Sequence, residues 1–238
     1  MTSRSTDPRA VAPGSTRTVD RAFDLLEAVT ESVRARVGES PRGGGSSLSE
    51  LARATGLSPA TASRLLATLA KRGLVRRDEQ GAYRPGLGLM QMAAVVLRGE
   101  PLYELAGGHL TELAAASGET ANLGIAVDQD RALYLRQVAG DHRVQTASWA
   151  GRTIPREGTA MGAALAGSLG RSGYAVSRGL FEPDITAVAV PVCDYHGQII
   201  AALSIIAPSY RTDDSDAARY GLLLVEHAAA LSSALGAA

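Results

Sequence analysis

The chain has 238 residues, 45% of them hydrophobic, and its 24 basic and 24 acidic residues cancel to zero formal charge. That length gives one or two domains with real cores, and a single cysteine, Cys193, excludes both a disulfide framework and a multi-thiolate zinc site. The neutral total hides an asymmetry: residues 1–90 hold 14 Lys/Arg against 9 Asp/Glu, and the remainder 10 against 15, the pattern of a chain that meets nucleic acid at one end.

Residues 1–16, rich in Ser, Thr and Pro without hydrophobic period, are expected to be a disordered arm. From Val19 an amphipathic helix is predicted, with Val19, Ala22, Phe23, Leu26 and Val29 at three- and four-residue spacing and Thr18 or Asp20 near its cap. The glycine-rich stretch 38–47 reads as a loop. A short helix is predicted from Ser49, as cap, to about Thr55, and a second from Pro59 to about Arg72 with Ser58 as N-cap, ended by Gly73. "LVRRDEQGAYRP" then reads as a hairpin, and a helix spans about Leu87 to Leu97. Beyond "GEP" at 99–101 a helix is predicted over Leu102 to Ala116, and strands over Ala121 to Val127, Ala132 to Val138, Val144 to Ser148, Thr186 to Val192 and Ile199 to Ile206. A last helix runs from Asp214 to about Leu235. The apolar runs at 185–193 and 199–208 are too short to cross a bilayer, and no leader-like segment opens the sequence. With one cysteine, this predicts a cytoplasmic protein with no membrane partner.

The segment Leu51 to Leu69, "LARATGLSPATASRLLATL", has the parts of a helix-turn-helix. Ala52 is the small residue at a helix crossing, Gly56 the turn, and Leu51, Leu57, Ala62 and Leu65 the apolar contacts. In the second helix Ala62, Leu65, Leu66 and Leu69 share one face, while Ala60, Arg64, Ala67 and Lys71 line the opposite one, flanked by Thr61, Ser63 and Thr68. Small residues let a helix sit deep in a major groove, hydroxyls bond phosphates or base edges, and an arginine can read guanine bidentately. Arg76, Arg77, Tyr83 and Arg84 of the hairpin suit a wing along the phosphate backbone. The competing reading is an ordinary helical hairpin with a solvated basic face.

Six segments, "RTVDRAFDLLEAV" (17–29), "LSELARATGLSPATASRLLATLAKRGLV" (48–75), "YRPGLGL" (83–89), "ELAAASGETANLGIA" (112–126), "GTAMGAALA" (158–166) and "EPDITAVAVPVCDYHGQIIAALSIIAPSYR" (182–211), occur in an order and spacing that resembles the IclR family of bacterial transcriptional regulators. The resemblance implies an α+β chain: a winged helix-turn-helix domain over 17–86, a linker helix over 87–99, and a GAF-like α/β sandwich over 100–238 that binds a small effector. It also implies a dimer or dimer of dimers on palindromic double-stranded operator DNA, read here as a repressor. The family's recognition helix falls on Ser58 to Arg72, so Ser58, Ala60, Thr61, Ser63, Arg64 and Lys71 inherit the DNA-contact role. The implied effector pocket has Ala160, Met161, Pro191 and Ser204 as candidates, with Leu123, Leu135 and Trp149 as further wall residues.

Two departures from the family pattern bear on that pocket. Only "GSLGRS" at 167–172 joins the "GTAMGAALA" and "GYAVSRG" segments, where relatives commonly have a longer helix. Leu180 also stands where a glutamate is usual, and Ile206 where a second serine is common. The pocket is therefore expected to be less polar, with a larger or more apolar effector, or none. A regulator without effector, whose C-terminal domain only oligomerises, stays open, as does an enzyme with a vestigial DNA domain.

Little points to catalysis or to a cofactor. His109, His142, His196 and His227 lie on separate elements without metal-like spacing and read as solvated or structural. "GSLG" lacks the nucleophile elbow, and Gly86 and Gly88 do not lead a strand into a phosphate-binding turn. Cys193 reads as an inert thiol, and a reductase of the GAF-like kind would need several cysteines. The apolar stripe of 91–97 reads as a dimer seam or as the helix that caps the DNA domain, the seam being favoured because half-site reading needs two recognition helices held about 34 Å apart.

Overall fold

A computed structural model describes residues 16–34, 45–142, 148–180 and 182–237, which form two compact units, 1–96 and 97–238. The expected arm and most of the glycine-rich loop fall outside the described residues, as do all but Ser148 of the strand expected at Val144 to Ser148; Ser148 is not in a strand.

The first unit is built from α1 (Arg17–Arg34), α2 (Leu48–Ala54), α3 (Pro59–Lys71), a two-stranded antiparallel hairpin of β1 (Val75–Arg77) and β2 (Tyr83–Pro85), and α4 (Leu87–Arg98). Its core joins Leu25 and Val29 of α1, Leu51 and Ala52 of α2, Ala62, Leu66 and Leu69 of α3, and Val75 and Tyr83 of the hairpin. On α1 the buried stripe is therefore rotated from the expected one: Val19 and Phe23 stay 50% and 59% exposed, while Leu25 is buried. The cap of α2 also shifts, from Ser49 to Ser47. Ser47 Oγ accepts from the Glu50 amide, and the Glu50 carboxylate accepts from the Ser47 amide at 2.7 Å, a capping box. Gly56 takes a φ of +66° so that Leu57 N–H can reach the Ala52 carbonyl, closing α2 before Ser58 starts α3.

The second unit carries one six-stranded antiparallel sheet in the order β5-β4-β3-β8-β7-β6. Its elements are α5 (Pro101–Ser117), β3 (Thr120–Ala126), β4 (Arg131–Val138), β5 (Thr153–Pro155), α6 (Ala160–Leu165), β6 (Ala175–Arg178), β7 (Ile185–Cys193), β8 (Ile199–Pro208), a single 3₁₀ turn at Ser209–Arg211, and α7 (Asp214–Ala234). One sheet face packs on α5 and α7 through Leu123, Val188, Val190, Leu203 and Ile205, meeting Leu110, Leu113, Leu224 and Leu231. The other face packs beneath α6 through Tyr134, Ala189, Ala202 and Ile206. A strand covered on both faces needs no polar alternation, which explains the apolar run of β8. The α+β class expected from the sequence is the class observed. β5, β6 and α6, of three to six residues each, are too short to leave a periodic signal.

Candidate nucleic-acid interface and effector cleft

The core of the first unit fixes which side of α3 is left outside. With Ala62, Leu66 and Leu69 buried, Ala60, Arg64, Ala67, Thr68 and Lys71 lie exposed and Thr61 and Ser63 half-buried at the margin. The stripe expected to face DNA is thus the solvent stripe. Among the described residues the Arg64 side chain makes no hydrogen bond or ion pair, so its guanidinium is available to a ligand. The hydroxyls nearest the helix start are already committed in part: Ser58 Oγ accepts from the Thr61 amide at 3.2 Å and lies 2.9 Å from Thr61 Oγ1. Thr68 donates back to the Arg64 carbonyl at 3.1 Å.

The hairpin sorts its four candidates differently from the expectation. Arg76 and Arg77 are exposed. Arg77 leans over the Tyr83 ring at 5.7 Å and donates from Nε to the Gly81 carbonyl, which holds its chain along the wing. Tyr83, expected at the DNA surface, is instead 8% exposed and part of the core, and its backbone bridges to Ser46. An aromatic between two arginines reads equally as a contact or as a core residue until the strand's pairing fixes which face it takes. Arg84, also expected at the surface, bonds from Nε to Asp78 Oδ2 at 2.7 Å. Asp78 in turn accepts from the amides of Gln80 and Ala82. That bond from Arg84 is the main cause holding the Asp78 carboxyl below its ordinary range, so the pair organises the turn.

Two family descriptions match this chain: the IclR helix-turn-helix domain over residues 18–79, and the bacterial transcriptional regulator IclR C-terminal domain over 94–172 and 164–233. The protein belongs to the IclR family. It is therefore a DNA-binding transcriptional regulator. Among its relatives is the transcriptional regulator XynR of Escherichia coli, 27% identical over 92% of this chain and 97% of that one. Among solved structures, an IclR regulator from Alicyclobacillus acidocaldarius superposes with a TM-score of 0.74 at 25% identity, covering 93% of this chain and all of that one. An IclR homologue from Microbacterium hydrocarbonoxydans, solved with 4-hydroxybenzoate, shares the fold at a TM-score of 0.71 and 20% identity, covering 92% and 98%. The two pieces of the C-terminal match overlap at 164–172, from the end of α6 into the connection to β6.

In this IclR-family chain the face of the sheet beneath α6 holds a cleft. It is lined by Tyr134, Trp149, Ile154, Thr159, Ala160, Met161, Ser177, Leu180, Glu182, Ile185, Ala187 and Ile206. The cleft is narrow, with a cavity volume of ≈ 40 Å³. Glycines shape it: at Gly124 a Cβ would lie 2.5 Å from Met161 Sδ, and at Gly162 it would collide with the Arg156 carbonyl. α6 is anchored by Thr159, whose hydroxyl oxygen accepts from the Gly162 amide at 3.0 Å, and by Ser177 Oγ, which accepts from the Ala160 amide at 3.1 Å. Tyr134 and Trp149 meet edge to face at 6.0 Å, and Arg152 stacks on the indole at 4.7 Å. Burial pushes the Tyr134 phenol up, so it stays protonated and can donate.

Of the seven residues expected around the effector, Trp149, Ala160 and Met161 line this cleft. Leu123 and Leu135 do not: both turn to the α5/α7 side of the sheet. Along a strand a one-residue error in parity moves a side chain to the opposite face, and that is the error at both positions. Pro191 and Ser204 share the cleft's face by alternation with Ala187 and Ile206 but lie outside its lining. Ser204 and its register partner Asn122 are buried on that face, and Asn122 Oδ1 has no hydrogen-bond partner among the described residues. The lining residues missed by sequence reasoning come mostly from the short elements and loops. Tyr134, Ile185 and Ala187 were findable by alternation on β4 and β7. Leu180 and Ile206, flagged as departures, do sit in the lining, and Glu182 returns a carboxylate to the mouth.

Proposed function

We propose that this regulator grips palindromic double-stranded operator DNA with α3 and the wing, as a homodimer or a pair of dimers in the cytoplasm. In this reading a small effector entering the α6 cleft changes that grip, and the regulator acts as a repressor. The observation that carries the DNA reading is the outward stripe of α3, small residues and hydroxyls around the exposed Arg64. Ser58, Ala60, Thr61, Ser63, Arg64 and Lys71 make the groove and phosphate contacts, joined by Arg76 and Arg77 from the wing. Arg84 serves the turn and Tyr83 the core. Dimerisation is supported by α4, in which no residue is buried although Leu87, Met90, Met92, Val95 and Val96 are 51–71% exposed. So much unpartnered apolar surface on one helix is the mark of an interface.

The homologue solved with 4-hydroxybenzoate supports an effector in this fold. The lining described here is mostly apolar and aromatic, with Glu182 as its one charged residue. A carboxylate ligand there would lose its hydration without gaining a cation from the described lining residues, so the effector is a fairly apolar, neutral or cationic molecule. With so small a cavity, entry requires Leu180, 71% exposed at the mouth, or Trp149 to move. Thermal-shift screening of the full chain against matched neutral, amine and carboxylate aromatics tests this, together with footprinting on the promoter beside its own gene. Protection of a palindrome that weakens with a stabilising neutral or amine ligand is expected. Stabilisation by carboxylates alone would overturn the ligand class, and stabilisation by nothing would favour a C-terminal domain that only oligomerises.

A further inference from the structure

The sequence gives His109 and His227 no metal-like spacing, yet the fold brings them together from positions 118 residues apart, with their Nδ1 atoms 3.0 Å from each other. Glu112, one turn after His109 on α5, places Oε2 3.8 Å from His227 Nδ1. All three ligand atoms lie within 4.8 Å of one another. The rings stand at 81° with centroids 5.3 Å apart, so their edges converge instead of stacking. This cluster belongs to the helical side of the second unit, across the sheet from the effector cleft, and its residues take no part in the reading above.

The geometry points to a zinc site, in which His109, Glu112 and His227 bind one Zn²⁺ and clamp α5 to α7. Two imidazole nitrogens at about 2.0–2.1 Å from a tetrahedral zinc lie about 3.4 Å apart, so the observed pair needs to open by only a few tenths of an ångström. The carboxylate oxygen must close by a similar amount on His227 and by more on His109, and Glu112, with a side chain 71% exposed, is free to swing. Two histidines and a glutamate are a ligand set zinc uses with water in the fourth position. The helices are already fixed by Leu110, Leu113, Leu224, Ala228 and Leu231, so the ligands are held on rigid elements and binding costs little ordering. Metal ligation needs neutral imidazoles. Burial, followed by the facing His227, holds His109 below the ordinary histidine range, and Glu112 is the one group opposing them.

The tag-free full chain, stripped with a chelator and titrated with zinc chloride by calorimetry, tests the site. One Zn²⁺ per chain is expected, with a rise in unfolding temperature, and the same chain loaded with Co²⁺ should show the strong visible bands of a four-coordinate ion without a thiolate charge-transfer band. His109→Ala and Glu112→Gln should each weaken zinc by at least about tenfold, by the sensitivity typical of metal-site substitutions, while His142→Ala leaves it unchanged. Should His109→Ala fold poorly, Glu112→Gln, at an exposed side chain, still decides the matter. No zinc binding, or equal binding by His109→Ala and Glu112→Gln, would overturn the assignment and leave a plain histidine–histidine hydrogen bond.

Discussion

Arg64→Ala separates base reading from general attraction to DNA. Arg64 is exposed on α3 and its side chain makes no hydrogen bond or ion pair among the described residues, so its truncation should shift stability by no more than about 0.5 kcal/mol. If the guanidinium forms a bidentate contact to guanine, its loss costs about 1–3 kcal/mol of discrimination, roughly 5- to 150-fold in operator affinity. Binding to a scrambled duplex, which depends on phosphates, should fall far less. Lys71→Ala is the complement: it should weaken both duplexes alike and lower the slope of log K against log salt by about 0.9, the loss of one phosphate contact. Fluorescence anisotropy with operator and scrambled duplexes at four salt concentrations reads both effects. Equal loss of operator and scrambled binding in Arg64→Ala would refute the assignment of that residue to a base.

Other substitutions probe the framework. Leu66→Ala, at a fully buried position between α1 and α2, should cost about 2–5 kcal/mol in denaturant unfolding and abolish operator binding with it. Arg211 grips the buried Glu119 through two bonds of 2.7 and 2.9 Å, so Arg211→Ala should cost the second unit about 3 kcal/mol by stranding that carboxylate. The Asp78 carboxyl titrates below its ordinary range because Arg84 bonds to its charged form. A depressed folded pKa stabilises above the unfolded value, about pH 4, and that stabilisation fades as pH falls through the folded one. Asp78→Asn should accordingly flatten the acid side of the unfolding-temperature profile and leave the charged Arg84 guanidinium without that carboxylate. Trp149→Ala should enlarge the cleft and strengthen the thermal shift given by bulkier apolar ligands, read with the same screen.

Much of the first unit was legible because its signals are local. Ser58 and Pro59 mark the start of α3, Gly56 the turn, and the repeat of Ala62, Leu66 and Leu69 the buried face, from which the outward position of Arg64 follows by helical periodicity. Periodicity served less well on α1, where Ala22, Leu26 and Val29 suit several rotations of one helix and only the packing of Leu25 against α2 and α3 selects among them. In the wing, whether Tyr83 faced DNA or core depended on pairing with Val75's strand and the Ser46 bridge, contacts between segments that no local pattern encodes.

The amino-acid sequence by itself determined the longer elements, the α+β class and the outward face of α3, since these rest on caps, turns and repeats within a dozen residues, and the family, through the order and spacing of its segments. The tertiary structure decided which side of each strand faces α6, and so moved Leu123 and Leu135 out of the α6 cleft and brought Tyr134 and Ile185 into it. It also set His109 beside His227 across two helices that meet only when the sheet between their ends is formed. Strand parity has a period of two, so a bulge such as that at Leu123 and Gly124 resets it, and helix–helix proximity depends on packing over more than a hundred residues of intervening chain.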